Sequence, residues 1–206
     1  MAFVKKIEIE IGVLGIWKLS ESVTDLISQF QFSEKEITEF SRIKVERRKK
    51  EYIATRLLLN ELLDKRPEIT YLDSGKPELK NSIINISISH SSDFVVVIIS
   101  EKNVGIDVEN TQRNINKIAT RFLSKNELTH ISYLSDKQKI TVLYWSAKEA
   151  VFKCTNKNGV QFNKQIIIQP FEIENKGKFA AILNKSTHYK LWYFFLENNV
   201  IVYCVE

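Results

Sequence analysis

Gly105-Ile-Asp-Val-Glu109 and Trp145-Ser-Ala-Lys-Glu-Ala-Val-Phe-Lys153 are the stretches on which the reading of this chain turns. In the first, Asp107 and Glu109 alternate with Ile106 and Val108. On a period-two strand both carboxylates therefore leave one face and the aliphatic pair leaves the other. In the second, Trp145, Glu149 and Lys153 fall four residues apart on one helical stripe. Lys148 is expected on the same side, with Ala150, Val151 and Phe152 filling the packed surface around it. A strand with two acids and a helix with a third thus gather three carboxylates and two ammonium groups. Close carboxylates repel unless a cation lies between them, and hard oxygen ligands suit Mg²⁺, which keeps its remaining positions for water and substrate phosphates. This is the equipment of a magnesium-dependent phosphoryl-transfer site.

Working outward, strands are expected at Ile7 to Ile11 and Leu14 to Leu19, then a helix opened by Ser33 as N-cap with Glu36 three residues on. A long amphipathic helix follows from about Val45 to Lys65. Further strands are expected at Ile86 to Ile88, Phe94 to Ser100 and Val104 to Val108. Helices are then expected near Ile115 to Phe122, Lys125 to Ser132 and Lys137 to Lys153. The chain closes with strands near Phe171 to Glu174, Lys178 to Leu183, Tyr189 to Phe195 and Val200 to Val205. Helices interrupt antiparallel strands without strict β-α-β alternation, so the fold class is α+β and not a doubly wound parallel sheet. A weak internal echo runs through this order. Phe32-Ser33 with Glu36 precedes a helix containing Lys50-Glu51, and Phe122 with Ser124 and Glu127 precedes a helix containing Lys148-Glu149. The echo predicts two similar α/β subdomains packed as a pseudo-dimer, residues 1–102 and 103–206, joined near Ser100 to Asn103, with a site in the cleft between them.

The chain has 206 residues and a mass of 24.0 kDa, 44% hydrophobic and 27% charged, which allows a proper core without disulfide staples. Met1 to Glu10 carry charges where a secretory signal needs an apolar run, and the longest uninterrupted apolar stretch, Phe94 to Ile99, is far too short to span a bilayer. A soluble, cytoplasmic protein is expected. Cys154 and Cys204 have no metal-type spacing and read as reduced thiols packed as small hydrophobes. The net charge is +5, and the segment Arg42 to Arg56 alone holds seven basic residues against two acidic ones. Such a helix attracts nucleic acid, a membrane surface, a polyanionic small molecule or an acidic protein, and standing alone it reads equally as a solvated face.

The two opening segments resemble the paired signature of the Sfp-type 4′-phosphopantetheinyl transferases. Other stretches resemble that family in the same order: Arg48-Lys-Lys-Glu51 with Arg56-Leu-Leu-Leu, the Gly75-Lys76-Pro77 turn, Ser89-His90-Ser91 running into Phe94 to Ile99, and Arg121-Phe-Leu-Ser124 with Glu127. The resemblance is dense from about Arg48 to Lys153 and thin at both ends. It implies a monomer of two like subdomains with the active site between them.

The implied reaction is attack by a serine hydroxyl of a carrier protein on the β-phosphorus of coenzyme A, moving phosphopantetheine and releasing adenosine 3′,5′-bisphosphate. Asp107, Glu109 and Glu149 would hold Mg²⁺. Lys153 would stabilise the leaving phosphate, Lys148 would help at the phosphates, and Glu149 would be metal ligand or proton acceptor. His90, Arg56, Lys76 and Pro77 would meet the 3′-phosphate and adenine end of coenzyme A, with Ser89 donating a further hydrogen bond. His90 alone reads as a buried polar residue at a strand end, and Trp145 as a packing anchor. The segment Asn110 to Phe122 would dock an acidic acyl or peptidyl carrier protein, with Ile115 and Ile118 as apolar contacts and Arg113, Lys117 and Arg121 flanking them. Two rival readings use the same basic helix. A nucleic-acid-binding module leaves the three carboxylates unexplained, whereas a metal-dependent nuclease accommodates them. The family order of the other segments argues against both, and neither nucleic acid nor a membrane is an expected partner.

Overall fold

The computed structural model describes residues 3–155 and 157–206. The chain opens on β1 (Phe3–Ile9) and β2 (Gly12–Lys18), then passes through α1 (Val23–Gln29), α2 (Glu34–Ser41) and α3 (Glu46–Leu63). A small hairpin, β3 (Ile69–Tyr71) and β4 (Pro77–Leu79), precedes β5 (Asn85–His90), β6 (Phe94–Ser100) and β7 (Val104–Asn110). One 3₁₀ turn (Asn116–Ile118) leads to α4 (Ala119–Phe122), α5 (Lys125–Ser132), α6 (Lys137–Thr155) and α7 (Phe162–Gln165). Four strands finish the chain: β8 (Ile166–Ile168), β9 (Lys176–Leu183), β10 (Thr187–Leu196) and β11 (Asn199–Val205). The fold is mixed α and β. Its two main sheets are antiparallel, one in the order β1-β2-β6-β5 and the other β7-β11-β10-β9-β8.

Side-chain alternation stacks these sheets into layers. β6 is buried along its whole length. Val95, Val97 and Ile99 pack with Ile53, Leu58 and Leu59 of α3, while Phe94, Val96 and Ile98 pack with Val104, Ile106 and Val108 of β7 and Ile201 and Tyr203 of β11. A central strand covered on both faces reads as a continuous apolar run, which is why residues 94–99 carry no polar alternation. On the far side of β7 and β11, Val200, Val202 and Cys204 meet Ala147, Ala150, Val151 and Cys154 of α6. Each fully buried aliphatic side chain contributes about 2 kcal/mol, so these three apolar layers dominate the stability.

The junction between the sheets is polar as well as apolar. β7 pairs with β11 along one edge, and its outer N–H groups at Ile106 and Val108 donate to the hydroxyls of Ser87 (3.1 Å) and Ser89 (3.3 Å) on β5. Serine side chains thus take the place of a neighbouring backbone and leave this edge satisfied. Close approach of α6 to β7 needs Gly105, since a Cβ there would lie 1.9 Å from the carbonyl oxygen of Ala150. In the other sheet Gly15 faces α3 in the same way, but its obstacles are the mobile methyls of Leu58 (2.7 Å) and Leu62 (2.9 Å).

Several boundaries differ from expectation. The predicted strand at Phe171 to Glu174 does not form: Pro170 brings no N–H to a ladder, and the ring of Phe171 stacks on Phe179 at 4.2 Å. The outer strand is instead β8. Helix α1 escaped the sequence reading although Ser22 and Asp25 form a capping box at its start. No helix among the described residues is long and apolar enough to cross a membrane. Both cysteines are free and buried.

Substituting Gly105→Ala is expected to cost about 3 kcal/mol, because backbone must move, and Gly15→Ala only about 1 kcal/mol, because leucine methyls can turn aside. Urea midpoints of the two variants measure this, and equal losses would show that α6 is not held against β7 by contact with the glycine.

Candidate functional site

Asp107 and Glu109 leave the α6 face of β7, opposite the apolar Ile106 and Val108. From α6, the stripe Trp145, Glu149, Lys153 comes down over them. Trp145 Nε1 donates to Glu109 Oε1 at 2.9 Å, and Lys153 Nζ donates to Asp107 Oδ1 at 2.8 Å. Lys153 also donates to Ser89 Oγ (2.9 Å) and to the carbonyl of Ile106 (3.1 Å), so all three of its N–H groups have acceptors. Ser89 in turn donates to Asp107 Oδ1 at 2.8 Å. The ring of Trp145 is wedged between Phe122 and Phe162, and its indole N–H fixes Glu109 together with Arg113 at 2.6 Å. Trp145 is therefore a packing anchor that also orients an acid.

The electrostatics are those of crowded acids. Burial raises the pKa of Glu149 to about 7, with the charges of Asp107 and Glu109 adding to the effect and Lys153 opposing it. Burial and then Asp107 raise that of Glu109 as well, against Arg113 and Trp145. Asp107 is 4% exposed, and its Oδ2 is buried with no hydrogen-bond partner. An orphaned carboxylate oxygen beside two further acids is an arrangement that a hard divalent cation would complete. Among the described residues no three ligating groups yet converge into a closed cage. The donor set fits Mg²⁺, which needs only a few protein oxygens and fills its shell with water and phosphate.

The Ser74–Pro77 turn and the C-terminal end of α6 enclose a cavity of about 180 Å³, lined by Lys76, Pro77, Ser87 and Lys153 among others. Gly75, Pro77 and Ile88 also wall a larger cleft of about 510 Å³ that holds Arg48, Glu51, Arg56, Tyr71 and His90. The two depressions thus share one wall and run from Lys153, the partner of Asp107, toward the basic helix α3. His90 lies with Nε2 2.9 Å from Arg48 Nη1, and burial is the main cause that lowers its pKa.

Four sequence expectations are corrected by this geometry. Lys148 is not on the same side as Glu149, since consecutive helical residues point about 100° apart. It is fully buried and bonded to Glu127 (2.7 Å) and to the carbonyls of Ile166 (2.7 Å) and Phe162 (3.1 Å). Arg56 lines the cleft, but its guanidinium stacks on Tyr52 and is held by Glu36 (3.2 Å), Glu39 (3.3 Å) and the Tyr52 carbonyl (3.2 Å). The Ser89 hydroxyl hydrogen goes to Asp107 and not toward a ligand. Ile115 is 3% exposed and belongs to the core, and Ile118 packs partly buried against it, so neither is a free docking contact.

Residues 103–204 match the family described as ACPS, the 4′-phosphopantetheinyl transferase superfamily. Among curated proteins the chain is similar to the 4′-phosphopantetheinyl transferase AcpT of Escherichia coli (strain K12), 29% identical over 52% of this chain and 57% of that one. It is similar to the 4′-phosphopantetheinyl transferase gsp of Aneurinibacillus migulanus at 31% identity, over 50% of this chain and 49% of the relative. The 4′-phosphopantetheinyl transferase psf-1 of Bacillus pumilus is 34% identical over 41% of this chain and 37% of its own. The chain spans about half the length, or less, of the curated relatives it matches.

Two substitutions separate the crowded acids from the buried pair behind them. Lys148→Ala leaves Glu127 charged and uncompensated in the core and is expected to cost about 3–5 kcal/mol in denaturant unfolding. Glu149→Gln should instead stabilise the metal-free protein at pH 8 by about 1–2 kcal/mol, because ionising Glu149 beside Asp107 is unfavourable. A folded pKa raised above the unfolded one takes stability away as pH rises through about 7, so the gain should fade as pH drops toward the ordinary carboxylate range. A gain that grows on acidification would contradict the crowding.

Proposed function

The chain belongs to the 4′-phosphopantetheinyl transferase superfamily, and from that premise we propose that it transfers the 4′-phosphopantetheine group of coenzyme A to a serine of an apo carrier protein. The observation that carries the reading is the junction at which Ser89, Asp107 and Lys153 meet beside Glu109 and Glu149, with one Asp107 oxygen left without a partner. In this reading Asp107, Glu109 and Glu149 hold Mg²⁺. When bound, the ion neutralises charge on the pyrophosphate of coenzyme A and helps to align it.

The chain's own groups do the rest. The serine hydroxyl of the carrier attacks the β-phosphorus, a new P–O bond forms, and the bond to the bridging oxygen breaks so that adenosine 3′,5′-bisphosphate leaves. Glu149 takes the hydroxyl proton on a carboxylate oxygen that the cation leaves free, directly or through a bound water. Lys153 engages the leaving phosphate by exchanging one of its three present acceptors for a phosphate oxygen. Lys76 and Pro77 border the path of the nucleotide, and His90 stands at its phosphate end.

We take residues 1–102 and 103–206 as two related subdomains forming a pseudo-dimer, acting as a monomer in the cytoplasm. Support comes from matching strand orders, β2-β6-β5 and β7-β11-β10, from Gly15 and Gly105 facing the long helices, and from capping boxes at Ser33/Glu36 and Ser124/Glu127. An acidic carrier would meet the basic side chains Arg113, Lys117 and Arg121 near the acidic cluster.

Incubation of apo carrier proteins with coenzyme A, Mg²⁺ and the purified chain should add roughly 340 Da to the carrier, the mass of phosphopantetheine, by intact-mass spectrometry. Asp107→Ala should abolish this gain. A thermal shift of a few degrees on adding Mg²⁺ to the wild type, lost in Asp107→Asn, reads the cation independently of turnover. Carriers that gain no mass, with nucleic acid cleaved instead, would transfer the site to the nuclease reading.

A further inference from the structure

We infer that Glu51 is a positioning residue whose buried carboxylate holds Arg47 and Arg48, and through Arg48 the ring of His90, in place as a preformed cradle for the 3′-phosphate of coenzyme A. The inference rests on the transferase reading above and concerns the nucleotide end of the cleft, away from the acidic cluster. Glu51 projects from the second turn of α3 and is 4% exposed. A carboxylate so deeply buried is tolerated only with charged or hydrogen-bonding partners. Arg47 Nε donates to Oε1 at 2.9 Å, Arg48 Nη1 donates to Oε2 at 2.8 Å, and His90 Nδ1 lies 3.4 Å from Oε1.

What matters is how little of each arginine this uses. A guanidinium carries five N–H donors in a rigid planar fork, and phosphate is recognised by two of them at once. Glu51 occupies one nitrogen of each arginine, on side chains that remain 54% and 60% exposed. The rest of both forks is open to solvent, and Arg48 also lines the cleft. Two arginines offset one carboxylate, so the cradle keeps a net positive charge. Untethered arginines on an exposed helix turn would sample many rotamers, and anchoring them beforehand lowers the cost of binding.

Arg48, so held, meets the histidine. Its Nη1 can only donate, so His90 Nε2, 2.9 Å away, carries the lone pair, and the ring hydrogen sits on Nδ1, 3.4 Å from Glu51 Oε1 but outside hydrogen-bond geometry. His90 Nδ1 is buried and makes no hydrogen bond. Glu51 and Arg48 from α3 and Lys153 from α6 are the charges that act on this ring. Arg56 offers no alternative, because Tyr52, Glu36 and Glu39 already hold it.

Coenzyme A and 3′-dephospho-coenzyme A differ only in the phosphate that the cradle would grip. Titration calorimetry of the full chain should show the wild type preferring coenzyme A by about tenfold or more, the effect of a charge-assisted bidentate contact. Glu51→Gln should weaken coenzyme A by about tenfold while leaving the dephospho form within about twofold, and should raise KM for coenzyme A with little change in kcat. The urea midpoint of the variant checks its fold. Should it not fold, Arg48→Gln, at an exposed position, should lose the same preference. Equal weakening of both ligands, or a preference left intact, would overturn the role of Glu51 alone. A wild type that binds neither ligand would overturn the transferase reading itself.

Discussion

Asp107 sits where three elements meet, and the rest of the site depends on how its charge is managed. One oxygen is held by Lys153 from α6 and by Ser89 from β5, while the other points into buried space without a partner. The residue therefore belongs at once to the sheet that carries it, to the helix above and to the opposite sheet. A carboxylate in such a position is stable only because the ammonium group of Lys153 and the hydroxyl of Ser89 are in place, and they satisfy only half of it. Ser89 does double duty there, accepting the backbone N–H of Val108 while donating to Asp107. The edge of β7 and the chemistry of its side chain are thus secured by one hydroxyl.

This arrangement is carried by apolar layers that leave little freedom. β6 is covered on both faces, and α6 rests on Gly105 with no room for a methyl group. The helix cannot lift away without opening the core, so the spacing between Glu149 and the strand acids is set by packing rather than by their own interactions. Mutually repelling carboxylates stay close because the hydrophobic layers hold the scaffold beneath them. The buried Lys148–Glu127 pair belongs to this scaffold: Glu127 also accepts the N–H of Ile168 and so ties α5, α6 and β8 together.

Much of this was legible in the sequence, for identifiable reasons. Strict alternation at residues 105–109 could only put both acids on one face, and a four-residue repeat at 145, 149 and 153 could only put those side chains on one stripe. The capping signal at Ser33 marked a helix start that the structure contains. Lys148 was misread because its neighbour Glu149 drew it to the wrong face; helical geometry alone already separates them. Arg56 was assigned to a ligand since its partners, Glu36 and Glu39, lie on another helix, and long-range ion pairs leave no local pattern. The hydroxyl of Ser89 was aimed at a nucleotide for the same reason, its acceptor lying on a strand of the opposite sheet. The strand wrongly placed at 171–174 rested on Phe171 and Ile173, and the ring of Phe171 packs in an aromatic cluster without joining a ladder.

The apolar seam between the two sheets has a consequence for solubility. Val104, Ile106, Val108, Ile201, Tyr203 and Val205 form a continuous greasy face on one sheet, and the other sheet is its lid. Neither sheet could stand in water with that face bare, so each serves as the cover that keeps the other out of solvent. Because one polypeptide carries both, the seam closes within the molecule at any protein concentration.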